Sequence, residues 1–187
     1  MHEPYIADSL GIHASRLQEI APLVQASIAA GAYPGAVILS GHQGSIIYRG
    51  VFGNQAMTPT VVPMHFHTIF DVASLTKIMV TAPAIMQLAE HGLIALDEPA
   101  ATYWPAFAEH GKEQITLRDL LIHTSGLPDV IPSPELNEIL PAARRTPNVM
   151  SWHGKAAALQ LIQSLKPLHE RGEKFIYSDI NYIVLGY

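Results

Sequence analysis

Between Leu17 and Ala30 the apolar residues Leu17, Ile20, Leu23, Val24 and Ile28 recur at steps of three and four, the spacing of a helix that buries one face. Gly31 and Pro34 end that pattern. From Ala36 to Leu39 and again from Ile46 to Tyr48 come short aliphatic, β-branched runs. They are joined by Gly41-His42-Gln43-Gly44, which predicts a β-hairpin with a four-residue connection. A two-stranded ribbon is marginal in water, so further strands should pair with it and something should cover its edge. A short extended piece from Phe66 to Val72 should lead into a long helix that begins at Ser74 and ends at His91-Gly92. Ile78, Met79, Ala82, Ile85, Met86 and Ala89 share one broad face of that helix, and a stripe so apolar should lie inside the molecule. Pro83 removes a backbone donor and crowds the turn before it, which predicts a kink near Met79 to Pro83 or a core that absorbs the defect.

Further along, Thr116-Leu-Arg-Asp119 approximates a capping box with Asp in the place of Glu, opening a short helix whose Leu117, Leu120 and Leu121 face inward. The proline-rich stretch from Val130 to Asn148 reads as a wrapped loop with one short helical turn, and a helix is expected from about Lys155 to Leu165. Trp104-Pro105 should pack the helical region, whereas Glu109, His110 and Lys112 read as a solvated turn. Tyr182 to Leu185 lie in an apolar run with no C-cap and no basic last turn, so the pattern reads as cut rather than finished at Tyr187.

The 187 residues are 49% hydrophobic and 14% charged, enough to bury a sizeable core. A formal net charge of -5 gives no electrostatic footprint for nucleic acid or an anionic membrane, and Arg144-Arg145 is the one adjacent basic pair. With no Cys there is neither a disulfide framework nor thiolate chemistry. Met1-His2-Glu3-Pro4-Tyr5 does not open a secretory leader, and no apolar stretch approaches the ~18 residues a membrane span needs. The expectation is a cytoplasmic protein, or a periplasmic or secreted one if a leader has been removed.

In Phe70-Asp-Val-Ala-Ser74-Leu-Thr-Lys77 a serine and a lysine stand three residues apart at a helix start, on one face and within reach of each other. A serine hydroxyl needs an adjacent base, and a lysine can serve only if desolvation or a neighbouring cation leaves some of it neutral. The apolar helix face would supply that desolvation. At the helix N-terminus the Ser74 N–H is among the unpaired donors and the dipole favours negative charge, which is half of an oxyanion hole. Ser-x-x-Lys is short enough to arise by chance, and its bland reading is a helix cap followed by a surface lysine. About 100 residues downstream stands Tyr177-Ser178-Asp179.

Taken together, Ala73-Ser74-Leu-Thr-Lys77, Leu121-Ile-His-Thr-Ser-Gly-Leu-Pro128 and Phe175-Ile-Tyr177-Ser-Asp179-Ile-Asn-Tyr-Ile-Val-Leu-Gly186 resemble the β-lactamase and penicillin-binding-protein superfamily. The likeness is to the class C β-lactamase, D-Ala-D-Ala carboxypeptidase and esterase branch, and it runs from about Leu17 to Tyr187 in the family's order. It implies an α/β (α+β) fold of the β-lactamase/transpeptidase type, an antiparallel sheet flanked by helices plus a mainly helical region, here as the N-terminal portion of one domain. By resemblance Ser74 attacks a carbonyl to form an acyl-enzyme, Lys77 takes or relays its proton, and Tyr177 sets its phenolic oxygen between them. A tyrosine beside a protonated lysine has its pKa lowered, so the pair can share one proton.

Two departures qualify the resemblance. Asp179 stands where the β-lactamases of this branch carry Asn to donate to the substrate amide, and an ionised Asp can only accept. This substrate-binding position therefore looks more like the esterase and peptidase relatives. The family's Lys-Thr-Gly or His-x-Gly strand, which carries the second oxyanion donor, does not follow Tyr177. A missing oxyanion donor costs about 10²–10³ in turnover, so these residues alone should be nearly inactive. The expected reaction is acyl transfer to water from an ester, peptide or β-lactam, with ester first and no cofactor. The rival from another class is a non-catalytic penicillin-binding or sensor-like homologue, or an inactive fragment. His65-Phe-His67 could suggest a metal but has no third ligand at a recognisable spacing, and no metal is expected. His123 reads as a structural hydrogen-bonder at a helix end rather than a catalytic base. Nothing in the pattern sets an oligomeric state.

Overall fold

The computed structural model describes residues 10–131 and 153–187. The expected loop from Val130 to Asn148, beyond its first two residues, lies outside the described residues, as does the amino-terminal pentapeptide. The chain packs as two compact units, Met1–Asp71 and Val72–Tyr187.

In the first unit the expected amphipathic helix is two pieces, α1 (Ala14–Leu17) and α2 (Ile20–Ala29). Pro22 falls in the first turn of α2, where a missing N–H costs nothing. Gly31, at φ 75, ends α2: its N–H donates to Ile28 O and that of Ala32 to Ser27 O, the paired bonds of a Schellman motif. Only Val24 of α2 is buried, and Leu23 is 67% exposed, so the stripe is narrower than its periodicity suggests.

Strands β1 (Gly35–His42) and β2 (Ser45–Ala56) pair antiparallel from Gly35 opposite Gly53 to His42 opposite Ser45. The connection is thus two residues, not four. Gln43 and Gly44 have φ 47 and 77, the left-handed pair of a type I′ turn, whose twist matches that of the strands. Ser40 faces Tyr48 and Gly41 faces Ile46, which leaves Ile47 as an extra residue, and Ile47 and Tyr48 are buried side by side. β2 runs well past Tyr48 because Gly50 and Gly53 interrupt its hydrophobic pattern without ending its pairing. At Gly53, φ is 65, and a Cβ would collide with Pro34 O, which accepts the Asn54 N–H at 2.9 Å. The third strand, β3 (Val62–Pro63), extends the sheet to the order β1-β2-β3. The extended piece expected over Phe66 to Val72 is irregular instead, with a turn closed by the Thr68 N–H on His65 O.

The second unit is helical. A π-helical turn (Lys77–Thr81) runs into α3 (Ala82–Glu90), which ends in a second Schellman motif at Gly92. The wider π turn sits just ahead of Pro83 and takes up the defect that the proline creates. Two 3₁₀ segments follow, Ala100–Thr102 and Pro105–Gly111, the latter broken at Glu109 and His110. Then come α4 (Leu117–Leu121), α5 (His153–Ser164) and α6 (Asp179–Leu185). Phe107, Leu120, Ile162 and Ile180 are wholly buried at the centre, each contributing about 1.5–3 kcal/mol of hydrophobic stabilisation, and Trp104 stacks on Phe107. The Thr116 capping box forms as expected: Thr116 Oγ1 accepts the Asp119 N–H and Asp119 Oδ2 accepts that of Thr116. Gly186 is the C-cap of α6, which corrects the expectation that this run has none.

Two further expectations fail. Ile85 of the stripe is buried, but Ile78, Met79 and Met86 are more than half exposed. Lys112 is wholly buried rather than solvated. Its Nζ donates to the carbonyls of Glu109 (2.6 Å), Gln163 (2.8 Å) and Leu165 (2.6 Å). The last two lie at the end of α5, where unpaired carbonyls and the helix dipole favour a cation. Burial pushes the Lys112 pKa down, and the three acceptors are what make the site tolerable.

Candidate active site

Ser74 opens the long helix of the second unit. Its first turn is tight: the N–H groups of Leu75, Thr76 and Lys77 donate to the carbonyls of Val72, Ala73 and Ser74, so the Ser74 N–H precedes the ladder. Ala73 has φ 43, a left-handed conformation unfavourable for a residue with a Cβ, and such strain collects at functional sites. One turn on, Lys77 brings its Nζ to 3.2 Å from Ser74 Oγ.

The other two expected residues reach the same point across about 100 residues of chain. Ser178 caps α6 by accepting the Asn181 N–H, which leaves Tyr177 just outside the helix and Asp179 in its first turn. Tyr177 presents its hydroxyl to Ser74 and Lys77, both of which lower its pKa, and its ring centre lies 5.1 Å from Lys77 Nζ. Asp179 Oδ1 accepts from Lys77 Nζ at 2.7 Å. Ser74, Lys77, Tyr177 and Asp179 are therefore brought together. Ser74, Lys77, Asp179, Thr81, Tyr182 and Ile183 line an open cleft of about 430 Å³. A larger groove, about 560 Å³, lined by His110, Glu113, Lys166 and His169, has one hydroxyl nucleophile, Ser125, and that group is committed to Asn181.

The electrostatics of the cluster differ from the premise that burial would neutralise Lys77. Its side chain is only 13% exposed, but the Asp179 carboxylate outweighs burial and raises its pKa, with Tyr177 adding to the effect. Lys77 is thus held as an ammonium. The Tyr177 phenol moves the other way: the hydrogen bond with Ser74 lowers its pKa, and the one with Lys77 adds to this. Asp179, read from sequence as a substrate contact, spends one oxygen on the lysine.

Sequence reasoning passed over one neighbour of this cluster and missed the partner of another. Tyr182, three residues after Asp179 and so on the same face of α6, lines the cleft, places its ring 5.9 Å from Lys77 Nζ and donates its hydroxyl to Leu121 O. His123 is a structural hydrogen-bonder as expected, but its partner lies far off in sequence: Nδ1 accepts the Ser178 N–H at 3.0 Å. Among the described residues no His, Asp and Glu cluster suits a metal ion, His65 and His67 included. No helix there is long and apolar enough to cross a membrane.

Comparison with known proteins fits this arrangement. The chain is 28% identical to an N-acetylmuramyl-L-alanine amidase of Bacillus subtilis, over 98% of this chain and 43% of that protein. In structure it is similar to EstCE1, a hydrolase with promiscuous acyltransferase activity, with a TM-score of 0.72 and 27% identity, over 97% of this chain and 46% of that one. It shares its fold with a class C β-lactamase solved in complex with cefoxitin, with a TM-score of 0.70 and 21% identity over 92% and 43% of the two chains. The chain thus spans less than half the length of these relatives. The beta-lactamase family model matches residues 20–187, so the chain belongs to the beta-lactamase family, within the superfamily of serine β-lactamases and penicillin-binding proteins.

Proposed function

We propose that this chain carries the acylation machinery of a serine hydrolase, with Ser74 as nucleophile, Tyr177 as the immediate proton acceptor and Lys77 as the ammonium that holds the phenol ready. The observation that carries this reading is the meeting of three groups: Lys77 Nζ lies 3.2 Å from Ser74 Oγ and 5.1 Å from the Tyr177 ring centre, and Ser74 and Lys77 both lower the pKa of the Tyr177 hydroxyl. A lysine locked by Asp179 keeps its proton, while a tyrosine with a lowered pKa gives up its own more readily and as the phenolate can take one from serine. Ser74 Oγ adds to the substrate carbonyl carbon as its proton passes to the Tyr177 phenolate oxygen, and the Ser74 N–H faces the developing oxyanion. Collapse breaks the bond to the leaving group, which departs with the Tyr177 proton and leaves an acyl-Ser74. Water attack along the reverse proton route releases the acid and restores the hydroxyl.

The substrate class is an ester first, then a peptide or β-lactam. Support for that order comes from Asp179, which cannot donate to a substrate amide as an Asn would. EstCE1 is a hydrolase with promiscuous acyltransferase activity and the Bacillus subtilis relative is an amidase by name, so both acyl transfer and amide chemistry occur among the relatives. Incubation with a fluorophosphonate, followed by peptide mass spectrometry, tests the reading. One adduct on Ser74, lost in Ser74→Ala, is expected; a folded sample that takes no adduct contradicts it.

A second reading is covalent capture without turnover, as in a penicillin-binding sensor. A long-lived penicilloyl adduct on Ser74 with no release of penicilloic acid would select it.

A further inference from the structure

We propose that His123 is a positioning residue for Tyr177, clamping the chain on both sides of it and backing its ring, so that the state of one imidazole governs the reactivity of the Ser74 cluster. This inference rests on the reading of Tyr177 as proton acceptor. Ile176 and Ser178 flank Tyr177, and both are tied to His123. The Ile176 N–H donates to His123 O at 2.9 Å and the Ser178 N–H to His123 Nδ1 at 3.0 Å. Between these two ties the imidazole lies 4.6 Å from the Tyr177 ring, centre to centre.

The clamp is itself held. His123 has φ 60, a left-handed conformation that His and Asn tolerate better than most residues, and this turns its carbonyl and its ring toward the same segment. The Ser178 hydroxyl donates to Pro128 O and the Asp179 N–H to Asp129 O, so the segment carrying Tyr177 is pinned along the whole 123–129 loop. A backbone N–H can only donate, so Nδ1 must be the unprotonated nitrogen and the ring the neutral Nε2–H form. The Asn181 amide agrees: Oδ1 accepts from the Ser125 hydroxyl, which turns Nδ2 toward His123 Nδ1 at 3.4 Å. Two donors therefore converge on Nδ1 in a site that is 8% exposed, and a proton there would break both contacts and strand the buried Ser178 N–H. The titratable groups facing the ring are Tyr177, Tyr182, Lys77 and Asp179, and burial together with the Lys77 charge holds the imidazole below the usual histidine range against the opposing Asp179.

Replacing His123 by Ala removes acceptor and ring, whereas Asn keeps an acceptor and tolerates the backbone. Three readouts are compared across wild type, His123→Ala and His123→Asn: circular dichroism for folding, the rate of fluorophosphonate addition to Ser74, and the ring-¹³C titration of Tyr177, assigned with Tyr177→Phe. A displaced phenol should slow labelling roughly 10- to 100-fold in His123→Ala and return the Tyr177 titration toward that of an ordinary tyrosine, with Asn restoring most of both. In wild type, labelling should fall as pH drops below the usual histidine range, and that acid limb should vanish in His123→Asn. A folded His123→Ala that labels within about twofold of wild type, with the Tyr177 titration unmoved, overturns the inference. If His123→Ala does not fold, an acid limb that persists unchanged in His123→Asn overturns it instead. Should wild type not label at all, the hydrolase reading fails, and the Tyr177 titration alone still decides whether His123 positions the phenol.

Discussion

Lys77 Nζ donates to Asp179 Oδ1 at 2.7 Å while standing 3.2 Å from Ser74 Oγ, so the amine nearest the nucleophile is paired with a carboxylate 102 residues away. The pair raises the Lys77 pKa, and it connects the start of the long helix to the first turn of α6.

Asp179→Asn should separate the charge of the pair from its geometry. Asp179 is half exposed, so losing the ion pair should change stability by no more than about 1 kcal/mol. The Lys77 pKa is raised in the fold, so its pairing contributes stability that is complete below the unfolded lysine value, near 10.4, and is lost as pH rises through the folded one. Wild type minus Asp179→Asn, measured by urea unfolding from pH 8 to 11, should therefore shrink at the alkaline end. The variant should also gain in acylation by a penicillin relative to a nitrophenyl ester, because an Asn can donate to the amide.

Tyr177→Phe removes one oxygen and leaves the ring against His123. Labelling of Ser74 by a fluorophosphonate should slow by about 10²–10⁴ with the melting temperature little changed. Lys77→Ala should slow it comparably. A Tyr177→Phe protein that labels at the wild-type rate would move the proton-accepting role to another group.

Lys112→Ala should be among the most damaging substitutions outside the cleft. It leaves the carbonyls of Glu109, Gln163 and Leu165 without their buried donor and opens a void beside Phe107. A loss of about 2–4 kcal/mol in urea unfolding is expected, from unpaired acceptors and lost packing. Lys112→Arg, with a broader head, should recover only part of it.

Gly126→Ala tests the loop that carries the clamp. At Gly126 φ is 80 and a Cβ would overlap His169 O, while Gly126 O accepts the Leu168 N–H. A cost of about 1–3 kcal/mol is expected, together with slower labelling of Ser74, because the 123–129 loop holds the Tyr177 segment.

The elements that proved legible in the sequence are those whose cause is local. Gly31 and Gly92 end helices because each must be left-handed there, Thr116 and Asp119 cap each other three residues apart, and Ser74 and Lys77 meet across one helical turn. What escaped sequence reading depends on partners far along the chain. Lys112 sits in a polar run and owes its burial to carbonyls 51 and 53 residues away. Asp179 looked like a donor lost from the substrate site, yet its partner is Lys77. The α3 stripe shows the converse error: apolar spacing says that a face can be buried, and only packing decides which part of it is. At the site, the motifs singled out the residues that meet there, and contacts between them raise the Lys77 pKa and lower that of Tyr177.

The account stands most directly on the chemistry of one hydroxyl. Exposing the folded protein to a fluorophosphonate and sequencing the modified peptide by mass spectrometry should find a single adduct, on Ser74, absent from Ser74→Ala and strongly slowed in Tyr177→Phe. An adduct that persists in Ser74→Ala, or no adduct on a sample shown to be folded, contradicts it.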